Sequence, residues 1–515
     1  MSENITKIYL LNVPLENDYK HTFYFADKNT QFNIMSGHII KSYDNFTYQR
    51  KDNIIRIPDL YDNVIKANYV MYQNANFNNK WFYAFITDYE FKGEDQTNIT
   101  IETDVIQTWL FDYNLRASFV EREHVNNDTI GLHTFPENLE CGEAVCKQYN
   151  SDNELTKTHV VIGTNVDSNG DNVQGGNYNG IYSGVKYYSY ESNDGWQLVN
   201  SFIKILEGEG KVDGIQCLFL APEFLTVDEG GTLEIDFSNI VASYNYSLTA
   251  FESTYKPKNN KCLAFPYRYI LASNNNGGSA IYKYEQFKDG VIDFAVKGAL
   301  TPGCSIRLIP KNYNGVAVNN EEGLNLGKYP ICNWNSDVFT NWLTQNSVNI
   351  GLNLASGVAQ IVGGTALAIG SGGVAGAIGG TQIIGGVSAI TQQLAQIHQM
   401  SFTPPQSHGN VNCGDVVTAS KANTFHFYQM QIKDEYLKII DEYLSMFGYK
   451  TNRVKVPNIA HRSNYWYTKT IDVNIQGTNV PANDLKKIKD CYNNGITFWK
   501  NFTYFKNYSV DNPII

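Results

Sequence analysis

In Asn98-Ile99-Thr100-Ile101-Glu102-Thr103-Asp104-Val105 the apolar side chains fall at every second position. This puts Ile99, Ile101 and Val105 on one face, the period of a half-buried strand. Just upstream, Lys80–Thr87 (KWFYAFIT) is apolar on both faces. That pattern predicts a strand covered on both sides, by a second layer or by a neighbouring subunit. Gly93-Glu94-Asp95-Gln96 between the two suits a hairpin turn. From 126 to 335, short apolar runs are punctuated by Gly, Asn and Asp, and strands are expected at Gly214–Leu220, Thr232–Val241 and Val291–Val296. Towards the C-terminus the period changes. Over Lys433–Phe447, Tyr436, Ile439, Ile440, Tyr443, Leu444 and Phe447 make one helical stripe, with Gly448 placed to cap it. A shorter helix is expected at Asp484–Tyr492, with Asn483 as its N-cap and Gly495 beyond its end, and Arg462–Ile475 reads as strand. The fold class this predicts is mainly β with α+β elements.

One stretch follows neither period. Val338–Gly414 runs for 77 residues without Asp, Glu, Lys or Arg, in a chain that is 18% charged. Between Val348 and Ile397 it carries 17 branched aliphatics: Val348, Ile350, Leu352, Leu354, Val358, Ile361, Val362, Leu367, Ile369, Val374, Ile378, Ile383, Ile384, Val387, Ile390, Leu394 and Ile397. Fully burying each contributes roughly 1.5–3 kcal/mol, an upper bound on the order of 25–50 kcal/mol in all. A solvated linker is therefore excluded. A plain core helix is disfavoured by 12 glycines between Gly351 and Gly386, each costing about 1 kcal/mol against Ala. Two readings remain, and they are compatible. Ile350–Ile369 and Val374–Ala395 are each long enough to span a bilayer, about 20 residues, and Gly372, Gly376 and Gly380 give the close-contact G-x-x-x-G spacing. Alternatively the stretch is a mobile plug packed against copies of itself. Its flanks lack the Lys and Arg of a permanent anchor, which favours shelter first and insertion later. Pro404-Pro405 marks its exit.

Composition narrows the function. At 515 residues, two to four domains are expected. The net charge of −11 argues against a general nucleic-acid binder. It is uneven: from Lys421 onward 13 Lys/Arg stand against 8 Asp/Glu, or +5, which leaves −16 for the rest. The eight cysteines have no zinc-site spacing and are expected to be reduced thiols. MSENITKIYLLNVPLENDYK lacks the basic and apolar regions of a secretory signal. Asp167-Ser168-Asn169-Gly170-Asp171 begins like a calcium loop, but Asn172 stands where Gly is needed and Tyr178 where the bidentate Glu belongs, so an Asx turn is expected. There is no Walker loop, nucleophile elbow or H-E-x-x-H. The glycines around Gly372 and Gly373 have no basic residue to hold a phosphate, and the histidines are isolated. No catalytic residue, metal ligand or cofactor is expected, and the chain is read as not an enzyme. His398 and His408 are the titratable groups near neutrality in the uncharged stretch, and they leave an acid trigger open.

Several strings carry a resemblance. They are Val13-Pro14 with Asn17-Asp18-Tyr19, Gln73-Asn74-Ala75, Asn79–Phe85, Asp104–Trp109 and Arg122–Val125 in the first flank. In the last flank they are Gly448–Lys455 with Pro457-Asn458, Asn494–Thr497 and Asn507–Val510. In order and spacing this chain resembles the tail knob, or distal tail tube, proteins of the small short-tailed bacteriophages of Gram-positive hosts. The resemblance implies a homohexameric ring or tube in the virion, at the distal end of the tail. Its wall would be made by 1–125 and 415–515 together, with 126–335 as β-rich insertion domains and 336–414 as a long apolar Gly-rich loop. It further implies that the loops plug the tube and enter the host membrane lipid on genome ejection, forming a pore. The implied partners are other tail proteins and DNA in transit without sequence-specific binding, and the protein would be made in the host cytoplasm. The lysines and arginines Lys450, Arg453, Lys455 and Arg462 are expected at an interface or in solvent. The alternative is a receptor-binding or cell-wall-degrading tail protein.

Overall fold

The structure is a computed structural model. It describes residues 6–44, 53–74, 78–167, 185–191, 195–211, 214–226, 241–314, 323–333, 410–412 and 422–515, with short pieces at 169, 171–172, 177–178, 181–182 and 233–234. The chain divides into two compact units, one of Met1–Cys141, Pro257–Cys262 and Asp434–Ile515, the other of Gly142–Lys256 and Leu263–Lys433.

The first unit holds an antiparallel six-stranded sheet in the order Ile39–Tyr43, Thr6–Leu11, Tyr69–Asn74, Trp81–Gly93, Gln96–Thr103, Ile54–Ile57. The strand read as apolar on both faces lies inside this sheet. Phe82 and Ala84 point into one core with Tyr72, Ile99 and Ile101. Tyr83 and Phe85 point into a second core with Tyr69 and Met71. Both covers come from the chain's own first unit, so this strand asks for no neighbouring subunit. Its hairpin is closed as expected, Gly93 pairing with Gln96 across Glu94 and Asp95.

A five-stranded sheet in the same unit interleaves the two ends of the chain. Its order is His21–Phe23, Ile496–Trp499, Tyr465–Ile471, Ser118–Glu123, Tyr449–Lys455. The N-terminal strand Ser118–Glu123 pairs on both sides with C-terminal strands, and His21–Phe23 adds to Ile496–Trp499 in parallel. Neither flank closes this sheet without the other. Arg462–Ile475 was expected as one strand and is interrupted. Asp472 turns into the left-handed region (φ 51°), where Asn493 Oδ1 accepts from Val473 N at 3.1 Å and Thr470 Oγ1 at 2.9 Å. Ile475–Gly477 then pairs separately with Tyr113–Leu115.

Two helices correct the predicted details. In Asp434–Phe447 the buried face is Leu437, Ile440, Asp441 and Leu444, while Ile439 is 63% exposed. Asp441 turns the helix: its carboxylate accepts from Lys258 N at 2.8 Å, and from Asn259 N at 2.9 Å and Nδ2 at 2.8 Å. The later helix runs Ala482–Asn494 from Pro481, so Asn483 lies inside it. Proline needs no N–H partner at a helix start. Gly495 (φ 93°) ends this helix as expected.

The second unit contains two antiparallel four-stranded sheets. One is Ala144–Ser151, His426–Ile432, Arg268–Ser273, Ser279–Tyr282, and the other is Val241–Leu248, Ile292–Ala299, Ser305–Lys311, Leu324–Asn325. They share a core around Ile270, Tyr282, Phe294, Val296, Leu308 and Phe427. A six-stranded sheet follows, in the order Leu233–Glu234, Lys186–Glu191, Thr158–Thr164, Ile215–Pro222, Ile331–Asn333, Asn410–Asn412. Thr158–Thr164 is buried on both faces. Val161 joins the shared core, and Val160 and Ile162 meet Val199, Phe202 and Leu206 of the helix Gly195–Gly208. The predicted Gly214–Leu220 and Val291–Val296 strands are present as Ile215–Pro222 and Ile292–Ala299. Thr232–Val241 contains the short strand Leu233–Glu234 and reaches the first residue of Val241–Leu248, with 232 and 235–240 outside the described residues.

Candidate functional site

The uncharged stretch is rooted at one place in the second unit. Ile331–Asn333 pairs with Ile215–Pro222 through Phe219 with Ile331, Leu218 with Cys332 and Cys217 with Asn333. Asn410–Asn412 then pairs back on it, Asn410 opposite Asn333, Val411 opposite Cys332 and Asn412 opposite Ile331. The chain thus leaves a sheet after Asn333 and rejoins it at Asn410 on the adjacent strand. Neighbouring strands are about 4.8 Å apart.

The outgoing root is held by buried side chains. On the way out, Tyr329 is 1% exposed and donates its hydroxyl to Leu155 O at 2.8 Å. Burial holds that phenol well above its ordinary pKa, so it stays a donor. Its N–H reaches Gly303 O at 3.0 Å, where Gly303 adopts φ 86°, and Ile331 is 4% exposed. Further along, where the described chain resumes before the strand His426–Ile432 of another sheet, Thr424 Oγ1 donates to Asp152 O, and Phe425 and Phe427 are fully buried. Asp152 itself accepts from Tyr244 Oη at 2.5 Å, and burial raises its carboxyl above the usual range. The residues singled out by sequence, from Val348 to Ile397 with Gly372, Gly376 and Gly380 among them, lie outside the described residues, as do His398 and His408.

The polar groups of the first unit act as structural ties. Glu137, with no exposed side-chain surface, accepts from Arg122 and from Lys261 and also takes Lys450 N at 2.9 Å. Burial lowers the Lys261 pKa, which Glu137 opposes. Lys455 Nζ reaches Glu123 Oε1 at 2.6 Å and Asn458 Oδ1 at 2.8 Å. Arg462 donates to Val125 O at 3.0 Å and Asn512 O at 3.2 Å. Of the four C-terminal basic residues singled out, Arg453 is exposed, and Lys455 and Arg462 are engaged within the chain. The pinned segment Pro257–Cys262 had no sequence signal. Its buried Asn259 is legible only through its bonds to Asp441.

Among the described residues no constellation for chemistry emerges. Among the described residues no group of His, Cys, Asp and Glu could hold a metal. Asp167 Oδ1 accepts from Asn169 N at 2.8 Å and Asp171 N at 2.9 Å, the expected Asx turn. The six described thiols, at 141, 146, 217, 262, 304 and 491, are not in disulfides.

Comparison with known proteins identifies the class first. Residues 4–114 match the family described as the Caudoviral major tail protein N-terminus. Residues 232–513, more than half of the chain, match the family described as Bacillus phage phi29, tail knob protein gp9, C-terminal domain, and the chain belongs to that family of tail knob proteins. The tail knob protein gp9 of Bacillus phage B103 is 26% identical over 588 aligned residues, covering 95% of both chains. That of Bacillus phage phi29 is 24% identical, covering 98% of both. The solved structure of the bacteriophage C1 tail knob protein, gp12, shares the fold, with a TM-score of 0.66 at 14% identity over 99% of this chain and all of that one. As a member of this family the chain is a structural component of the virion and not an enzyme.

Proposed function

We propose that six copies of this chain form a ring at the distal end of a phage tail. The ring conducts DNA without sequence-specific binding and docks to other tail proteins. In this reading 1–125 and 415–515 supply the wall, 126–335 the insertions, and 336–414 plugs the tube and enters the host membrane during ejection. The observation that carries the reading is the pairing of Asn333 with Asn410. Residues 334–409, which hold the 17 branched aliphatics and a single charge at Asp337, join adjacent strands of one sheet, so in this reading they can insert without unthreading the fold. Among the described residues no helix is long and apolar enough to cross a membrane, so they offer no competing span.

Support for a ring comes from a surface the sequence did not flag. Val454, Phe119 and Ile471 sit side by side in register on three adjacent strands. They are 72%, 37% and 54% exposed. Among the described residues, Tyr449–Lys455 ends its sheet with one side unpaired. An exposed apolar row beside an open edge is a surface that another copy can cover.

The test is dye release from liposomes by the wild type and by a deletion of Val348–Ile397. Release by the wild type alone, at some pH between about 4 and 8, is the expected result. Equal release by both, or none by either, removes the membrane role.

A further inference from the structure

The first unit carries an open groove of about 1060 Å³ beside the helix Lys28–Ser36 and the start of the strand Trp81–Gly93. Its wall chemistry is unusual. Of its 17 lining residues, seven are amides and six aromatic, and none is aliphatic. Half-buried Trp81 forms a platform with Tyr9 and Phe32, their ring centroids 5.3 and 5.1 Å from its own and each tilted by 30°. Exposed Asn29, Asn33 and Asn479 stand at the rim. In the floor Lys80 Nζ lies 3.4 Å from the Trp109 ring centroid and 2.5 Å from Asp112, which Lys28 also approaches at 3.7 Å.

We propose that this groove binds an oligosaccharide. A pyranose presents flat C–H faces and a rim of hydroxyls, each both donor and acceptor. Flat aromatic rings match the first, and amides, which donate and accept at one side chain, match the second. A groove for a helix or a peptide would carry aliphatic anchors such as Leu, Ile or Met, and this one has none. The volume lies just above the roughly 300–1,000 Å³ of small-molecule sites, room for several linked sugars. The site binds and does not cleave. Glycoside hydrolysis takes two carboxylates about 5–9.5 Å apart, and the groove has one, Asp112, already engaged by two lysines.

This inference is independent of the membrane role. It is tested with the full-length chain on an array of immobilised oligosaccharides, including N-acetylglucosamine oligomers and soluble bacterial wall glycans, followed by titration of tryptophan fluorescence with the best binder. Asn29→Ala/Asn33→Ala and Asn479→Gly are the variants, since exposed amides can be removed without opening a core, and glycine keeps the positive φ of Asn479. The expected result is saturable binding by the wild type, weakened at least tenfold in both variants while their melting temperatures stay within a few degrees. If no glycan binds, or if binding survives both variants, the proposal is overturned. It is equally overturned if the Trp81 environment changes with protein concentration alone, since a second copy then occupies the groove.

Discussion

At the residue scale, His124 shows how burial sets a pH limit. It is 4% exposed, its Nε2 donates to Ser445 O at 2.9 Å, and its Nδ1 accepts from Tyr467 N at 2.7 Å. Burial, with Arg462 and Arg122 nearby, pushes its pKa down to about 3, so the native ring is neutral and bridges the helix Asp434–Phe447 and the strand Tyr465–Ile471. The unfolded chain binds this proton below about pH 6.5 and the native one does not until near pH 3, so stability falls as pH falls through that window. The loss is about 1.4 kcal/mol per pH unit, or roughly 2 kcal/mol at pH 5. Asp104 acts the other way: burial raises its carboxyl to about 6, and the native state gains stability as it protonates. Comparing the wild type with His124→Gln cancels that second effect. Thermal melts from pH 7 to 4 are expected to show a steeper decline in the wild type than in the variant; parallel curves would show that His124 is not held neutral.

At the scale of elements, the sequence was legible where a local period and a local cap coincide. The Gly93–Gln96 hairpin, the strand before it and the helix ending at Gly448 all followed from neighbouring residues. What was illegible depends on partners far along the chain. Asp441 faces inward only because Asn259, 182 residues earlier, meets it, and Ile439 is displaced to solvent as a result. The Lys80–Thr87 pattern correctly announced burial on two faces, but periodicity cannot say whose atoms provide it. The root of the uncharged stretch was equally hidden, since Ile331–Asn333 and Asn410–Asn412 are short strands whose pairing joins residues 77 or more apart. Gly448 offers the sharpest element-level test. It has φ +66°, and a Cβ there would lie 2.1 Å from Glu123 O. Its carbonyl also accepts from Arg122 Nη1 at 2.7 Å. Gly448→Ala must strain the junction between the helix and the edge strand, at a cost of at least about 1–3 kcal/mol. Chemical denaturation should show that loss, and an unchanged midpoint would contradict the assigned backbone.

At the scale of the whole molecule, the proposed conduit is compatible with the composition. A chain of net charge −11 repels the phosphate backbone it is proposed to pass, and its two termini are woven into one sheet. If the row of Val454, Phe119 and Ile471 is the contact between copies, then Val454→Glu with Ile471→Glu is expected to convert a six-copy assembly into monomers in native mass spectrometry. Hexamers in the double variant would place the contact elsewhere. The central claim concerns the uncharged stretch, and photolabelling from within the lipid phase tests it most directly. Full-length protein is mixed with vesicles containing a membrane-confined photoactivatable probe, illuminated, and digested. The account predicts label concentrated in peptides from Val348 to Ile397 and absent when vesicles are omitted. Label spread over the β-rich units, or no label in that stretch while vesicles leak, would contradict it.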